Sequence, residues 1–153
     1  MKTAIELLSL LLVGWIAGAE LGSWCCVQPV VARHPYEQYV AAEQGMLRTF
    51  GRIMPVLMPL SAVLTIALVI MSRGELSIDL WLRVAAATCI AVTVVTTLTV
   101  NVPINIRTAA WQLTNDASEW QQMREQWHLF QGIRGGLFMA AFVLLAIPLV
   151  MRR

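Results

Sequence analysis

Four long apolar stretches separated by polar segments set the pattern of this chain. They cover residues 3–31, 53–72, 81–103 and 133–151. A helix rises 1.5 Å per residue, so about 20 residues cross a hydrocarbon core of about 30 Å. Each stretch therefore predicts a membrane-spanning helix. The first is interrupted by Glu6 and Glu20; with Lys2 ahead of it and Ala17-Gly18-Ala19 within it, it also has the outline of a signal peptide. We read it as a span. The second opens on Pro55 and Pro59, which membrane helices tolerate where neighbours satisfy the freed carbonyls. Arg73-Gly74-Glu75 makes a short polar turn into the third. The threonines of the third stretch, among them Thr93, Thr96 and Thr97, are suited to bond back to carbonyls one turn earlier. The fourth ends at Arg152 and Arg153.

The connections 32–52 and 104–132 are too long to be turns. In the first, Tyr36, Tyr39, Val40, Met46 and Leu47 recur at roughly helical spacing; in the second, so do Trp111, Trp120, Met123, Trp127 and Phe130. Such stripes predict amphipathic helices lying against the bundle end. The expected fold is all-α: an integral membrane four-helix bundle, a single domain over residues 1–153, with a small amphipathic helical cap formed by the two long connections. An even number of spans puts both termini on one side and both long connections on the other. The eleven basic residues divide almost evenly between the two sides. Lys2, Arg152 and Arg153 look like plain anchors, which predicts a multi-pass protein of the cell membrane with cytoplasmic termini and the cap outside.

Composition narrows the classes further. Of 153 residues, 58% are apolar and only 13% charged, with a mean hydropathy of +0.68. Soluble domains carry about 25% charged residues, so a soluble globular domain is excluded, as is a disordered chain. A net charge of +2 gives no footprint for nucleic acid; the expected partner is the bilayer. Cys25, Cys26 and Cys89 have no spacing that suggests a disulfide framework or a zinc site, and read as packing residues.

Two clusters carry candidate chemistry. In the first, Asn101-Val-Pro-Ile-Asn105 closes the third span, and a helix would put Asn101 and Asn105 on one face. Pro103 removes a backbone donor and disfavours helix at Val102, which predicts free carbonyls near Asn101. The plain alternative is a helix end capped by asparagine. In the second, Trp120, Arg124, Trp127, Gln131 and Arg134 follow a 3-4 spacing on one face that leads into the fourth span. Arginines set between tryptophans suit cation–π stacking; the bland reading is an interfacial aromatic belt. Glu20 stands inside a span, where a carboxylate normally faces a cavity or a cation, and Arg48, Arg52 and Arg134 are its candidate partners. The plain alternative for Glu20 is a wet position near the interface, with Trp24 and Gln28 continuing a polar stripe. His34 and His128, one per connection, could join Glu20 at a metal, but no HxxxH or ExxH pair demands one. No cofactor is predicted, and no glycine-rich loop reads as a phosphate cradle. Gly18, Gly22, Gly135 and Gly136 suggest close helix contacts, including a homo-oligomer.

Asn101-Val-Pro-Ile-Asn105, Trp111, and Trp120…Arg124-x2-Trp127…Arg134, with a first span bearing Gly18, Gly22 and Pro29, resemble the anthrone-oxygenase-like family of small four-span membrane proteins. The resemblance implies a site built from the Asn-x-Pro-x-Asn segment and the Trp/Arg helix, and, from a few relatives, oxidation of anthrones to anthraquinones without a conventional flavin or haem. Family members often carry Asn or His where this chain has Gln131, and glutamine cannot act as a base. Three readings follow. In the first, a small membrane oxygenase takes a lipophilic aromatic substrate from the bilayer. Trp111, Trp120, Trp127, His128 and Gln131 bind it, Asn101 and Asn105 orient a carbonyl or enolate oxygen, Arg124 or Arg134 stabilises negative charge, and Glu20 joins the catalytic set. The second is a non-catalytic binder or carrier of a lipophilic ligand; the third is a structural partner subunit whose polar residues lock helices together.

Overall fold

Continuous helix covers each predicted span, and every helix runs well past the length a bilayer needs. A computed structural model describes residues 2–74 and 78–151; Glu75 of the polar turn and the Arg152–Arg153 anchor lie outside the described residues. Four helices follow one another: α1 (Lys2–Val31), α2 (Tyr36–Met71), α3 (Ile78–Ala109) and α4 (Ala117–Met151). Each is long and apolar enough to cross a membrane, and no strand occurs among the described residues. This is a multi-pass, all-α helical bundle. The helices pack as a ring in chain order, each against the next and α4 back against α1.

The amphipathic segments are helical, as their stripes predict, but they continue the spans rather than forming separate elements. Residues 36–52 are the first turns of α2, and residues 117–132 the first turns of α4. The true connections are 32–35 and 110–116. At 36 residues, α2 is about 54 Å long, nearly twice the hydrocarbon core. The cap is thus the far end of the same bundle. Continuing an existing helix adds one hydrogen bond per residue without a new nucleus, and the apolar stripe of each extension stays in register with the interior face of its span.

Two apolar clusters fill the interior. One, around Val13, Ile16, Leu68, Ile90, Phe138 and Leu145, occupies the spans. The other, at the cap end, joins Tyr39, Val40, Trp111, Trp120, Met123 and Trp127. Around the spans the surface itself is apolar: Leu11, Val56, Val95 and Val150 are all more than half exposed, a pattern that belongs against acyl chains rather than water. The cap is tied by polar contacts. Gln44 Nε2 donates to the carbonyls of Thr108 and Trp111, both at 3.1 Å. Trp111 Nε1 donates to the Tyr36 hydroxyl at 2.9 Å. Asp116 begins α4, and the Ser118 backbone N–H donating to it at 2.8 Å holds its carboxyl below the usual carboxylate range. At the terminal end, Arg83 bridges Ser72 and Glu6, the latter at 2.5 Å.

Two helices contain one wide turn each, Ser23–Val27 in α1 and Thr97–Asn101 in α3. Each ends two residues before a proline, Pro29 and Pro103. A proline ring crowds the carbonyl four residues back and offers no N–H to it, here Cys25 and Thr99. Widening the helix relieves the clash. The expectation of a broken helix at Pro103 is therefore corrected: Val102 keeps right-handed helical angles, φ −64° and ψ −48°, and the chain passes through on the wide turn.

Candidate functional site

Between the two apolar clusters the four helices part around a cavity of about 250 Å³. Most of its wall is apolar, with Met46, Met54 and Met58 of α2 and Val94, Leu98 and Val102 of α3 among the lining. One side carries polar groups from all four helices: Glu20, Ser23 and Gln28 of α1, Glu43 of α2, Thr97 and Asn105 of α3, and Gln131 and Arg134 of α4. Phe50 and Leu98 also line it while standing 41% and 62% exposed, so the cavity reaches the lipid-facing surface between α2 and α3. Gly51, Pro55 and Pro59 lie along the same wall. Their spacing leaves the carbonyls of Gly51 and Pro55 without a helical donor, because the residue four ahead of each is proline.

Charge inside this wall is paired. Arg134 Nη2 donates to Glu20 Oε2 at 2.6 Å, and its Nη1 reaches Thr97 Oγ1 at 3.4 Å. Arg124 Nη2 donates to Glu43 Oε2 at 2.6 Å. All four charged residues are at least nine-tenths buried. An isolated charge at this depth costs several kcal/mol, so each pair holds only as a unit. The Arg124 guanidinium also lies 4.2 Å from the centroid of the Trp127 ring and 5.9 Å from that of Trp120. Several buried atoms of this layer make no hydrogen bond within the protein: Glu43 Oε1, Asn101 Oδ1, Gln131 Oε1, Arg134 Nε, and Arg124 Nε and Nη1. Such groups require a partner from water or a ligand.

Of the residues singled out in the sequence, Glu20, Asn105, Trp127, Gln131 and Arg134 meet at the cavity. Asn101 and Asn105 share a face as expected, and both hold Trp127. Asn105 Oδ1 accepts from the indole Nε1 at 2.8 Å, and Asn101 Nδ2 reaches the Trp127 carbonyl at 3.5 Å. Asn101 is fully buried and is not part of the cavity lining. Arg124 stands over the Trp127 ring. Trp111 and Trp120 pack together in the cap cluster, their ring centroids 5.4 Å apart, with Tyr36 and Tyr39 around them. His128 points elsewhere: it stacks on Trp24 at 5.6 Å and bonds the Trp24 carbonyl at 3.2 Å, in a shallow outer groove. His34 bonds carbonyls of its own helix end. Among the described residues, no three His, Cys, Asp or Glu side chains converge in a way that could hold a metal ion. Arg48 and Arg52 are exposed, leaving Arg134 as the partner of Glu20.

The sequence names neither Glu43 nor Ser23 as a candidate, and it offers Gln28 only as part of a polar stripe and Thr97 only as a helix-bonding threonine; all four line the cavity. Glu43 had a legible signal, since it falls on the stripe of Tyr36, Tyr39, Val40 and Met46, where a carboxylate on an apolar face asks for a buried partner. Gln28 had a weaker one. Eight residues from Glu20 is about 80° off its face in a regular helix; the wide turn at Ser23–Val27 absorbs one residue and brings Gln28 back to the Glu20 side, while Trp24 turns to the outer groove. Gln131 Nε2 donates to Ser23 Oγ at 3.1 Å, joining the two.

Compared with known proteins, the chain matches the family model described as anthrone oxygenase over residues 46–144. That segment holds the methionine and proline wall of α2, both asparagines, and the Trp127, Gln131 and Arg134 face; Glu20 and Glu43 precede it. No curated protein and no solved structure matches the chain.

Proposed function

Since the chain belongs to the anthrone oxygenase family, we propose that it is a membrane oxygenase acting on a lipophilic aromatic ketone of the anthrone kind. The observation that carries this reading is the cavity itself: apolar along most of its wall, open towards lipid between Phe50 and Leu98, and ending on a paired-charge polar wall. A flat, poorly soluble ligand arrives through the bilayer and stacks on Trp127, which Asn105 and Arg124 hold in place. Its carbonyl oxygen meets Asn105 and the Arg134 side of the wall, where Arg134 Nε has a free proton to donate. Negative charge growing on that oxygen is stabilised by the guanidinium in surroundings with little water. The substrate methylene becomes a carbonyl; one atom of O2 enters it, the other leaves as water with the two methylene hydrogens. The four electrons O2 takes up all come from the substrate, so the proposal invokes no resident cofactor.

Binding without turnover is the second reading, and one observation favours it: Gln131, on the polar wall, donates its Nε2 to Ser23 and is an amide that cannot titrate. The cap faces outward and the termini the cytoplasm in either reading, and the open flanks of Gly18, Gly22 and Gly136 suit lipid or a second copy. The deciding experiment supplies anthrone and O2 to the protein in lipid nanodiscs. The proposal predicts one anthraquinone formed per O2 consumed, with Trp127→Ala lowering kcat/KM by about tenfold from lost stacking. Saturable anthrone binding with no O2 uptake would select the carrier reading.

A further inference from the structure

Two carboxylates stand on the cavity wall, and they are not equivalent. Glu20 is held by an arginine that itself lines the cavity and is tied again to Thr97. Glu43 lines the cavity, but its partner Arg124 does not; Arg124 lies behind the Trp127 ring, 4.2 Å from its centroid. Glu43 uses Oε2 for Arg124 and has the Gln28 side chain beside it, while its Oε1 makes no hydrogen bond of normal length within the protein. A ring stacked on the cavity side of Trp127 shares the cavity with the Glu43 carboxylate, while the guanidinium that pairs with that carboxylate lies over the indole and outside the lining. Arg124 pairs with Glu43 without occupying the space a ligand needs.

Resting on the oxygenase reading above, we infer that Glu43 is the general base that removes a proton from the acidic C–H of the stacked aromatic substrate. The C–H bond breaks, an O–H bond forms at Glu43 Oε1, and the electron pair stays on the substrate as an enolate whose oxygen meets Asn105 and Arg134. No oxidant takes part in this step. Arg124 is a positioning residue, acting through Glu43 and Trp127. Positioned general bases contribute about 10²- to 10⁴-fold, which sets the size of the effect.

The step is separable from oxidation. Anthrone is supplied to the full chain in lipid nanodiscs, in D2O without O2, and deuterium uptake at its methylene is followed against empty nanodiscs, with binding read separately from Trp fluorescence. The expected result is exchange faster than in empty nanodiscs for the wild type, and a fall of about 100-fold or more for Glu43→Gln with binding retained. Glu6→Gln, which breaks a buried ion pair at the opposite end of the bundle, keeps the wild-type exchange rate. Should Glu43→Gln fail to fold, Glu43→Asp keeps the charge for Arg124 but withdraws the oxygen by one methylene; it should bind normally and exchange at least tenfold more slowly. Wild-type exchange in a folded Glu43→Gln or Glu43→Asp protein overturns the assignment. Anthrone bound by the wild type with no accelerated exchange overturns it too, leaving a binding site. No anthrone binding at all removes the oxygenase reading and this inference with it.

Discussion

Glu20 and Arg134 show how single residues in this bundle must be read in pairs. Each sits where an unpaired charge is severely penalised, and their 2.6 Å contact spans α1 and α4. Removing one partner leaves the other stranded, whereas replacing both leaves an apolar contact. Arg134→Met alone should therefore destabilise the protein by about 3–5 kcal/mol, while Glu20→Met/Arg134→Met should recover most of that loss, as measured by unfolding in mixed micelles. Equal destabilisation by the single and double replacements would mean that the pair is not a unit. The sequence shows that Glu20 needs a cation, because a carboxylate inside a span is costly, and it offers three arginines. Choosing among them requires the packing of α1 on α4, which spacing along the chain does not encode. Glu43 is harder to see: its place on the apolar stripe asks for a buried partner, but the stripe lies in an apparent connection, and the length of α2 is what carries it into the bundle interior.

The helices are regular where the sequence is regular and widen where proline forces them to. The spans were legible because hydropathy over some 20 residues dominates every other local signal. Their true lengths were not, because the amphipathic extensions read equally well as separate surface helices; contact with the cap cluster, not local preference, decides that they continue. Small residues show the same division. Gly135 and Gly136 are adjacent and look alike in sequence, yet an added Cβ at Gly135 meets Leu21 at 2.9 Å and one at Gly136 meets nothing within 4 Å. At Gly132 it would meet the rigid indole of Trp24 at 2.7 Å. Gly132→Ala should cost about 1–3 kcal/mol through overpacking. Gly136→Ala should be neutral, or stabilising by up to about 1 kcal/mol through helix propensity. Thermal unfolding of the two variants in the same micelles checks the contrast, and a larger loss for Gly136→Ala would show that its open flank is occupied in the membrane.

Across the whole molecule, the apolar cluster of the spans and the aromatic cluster of the cap are separated by one layer of paired charge, and the cavity lies in that layer. This arrangement gives a lipophilic ligand a path from the bilayer to fixed polar groups while both ends of the bundle stay closed, by Arg83 with Glu6 and Ser72 at one end and by Gln44 with Tyr36 and Trp111 at the other. The asparagine segment and the Trp/Arg face could be read from the chain as a meeting point because their spacings are helical. The wall that α2 contributes could not, since Met54 and Pro59 read as ordinary span residues, and Met46 as part of a connection's apolar stripe, until α2 parts from α3. The most direct test is a high-resolution density map of the protein in lipid nanodiscs saturated with anthrone. A flat density stacked on Trp127 is expected, with its oxygen towards Asn105 and Arg134 and a C–H within reach of Glu43. A cavity closed around its own polar groups, or filled only by an acyl chain with anthrone bound elsewhere, would contradict it.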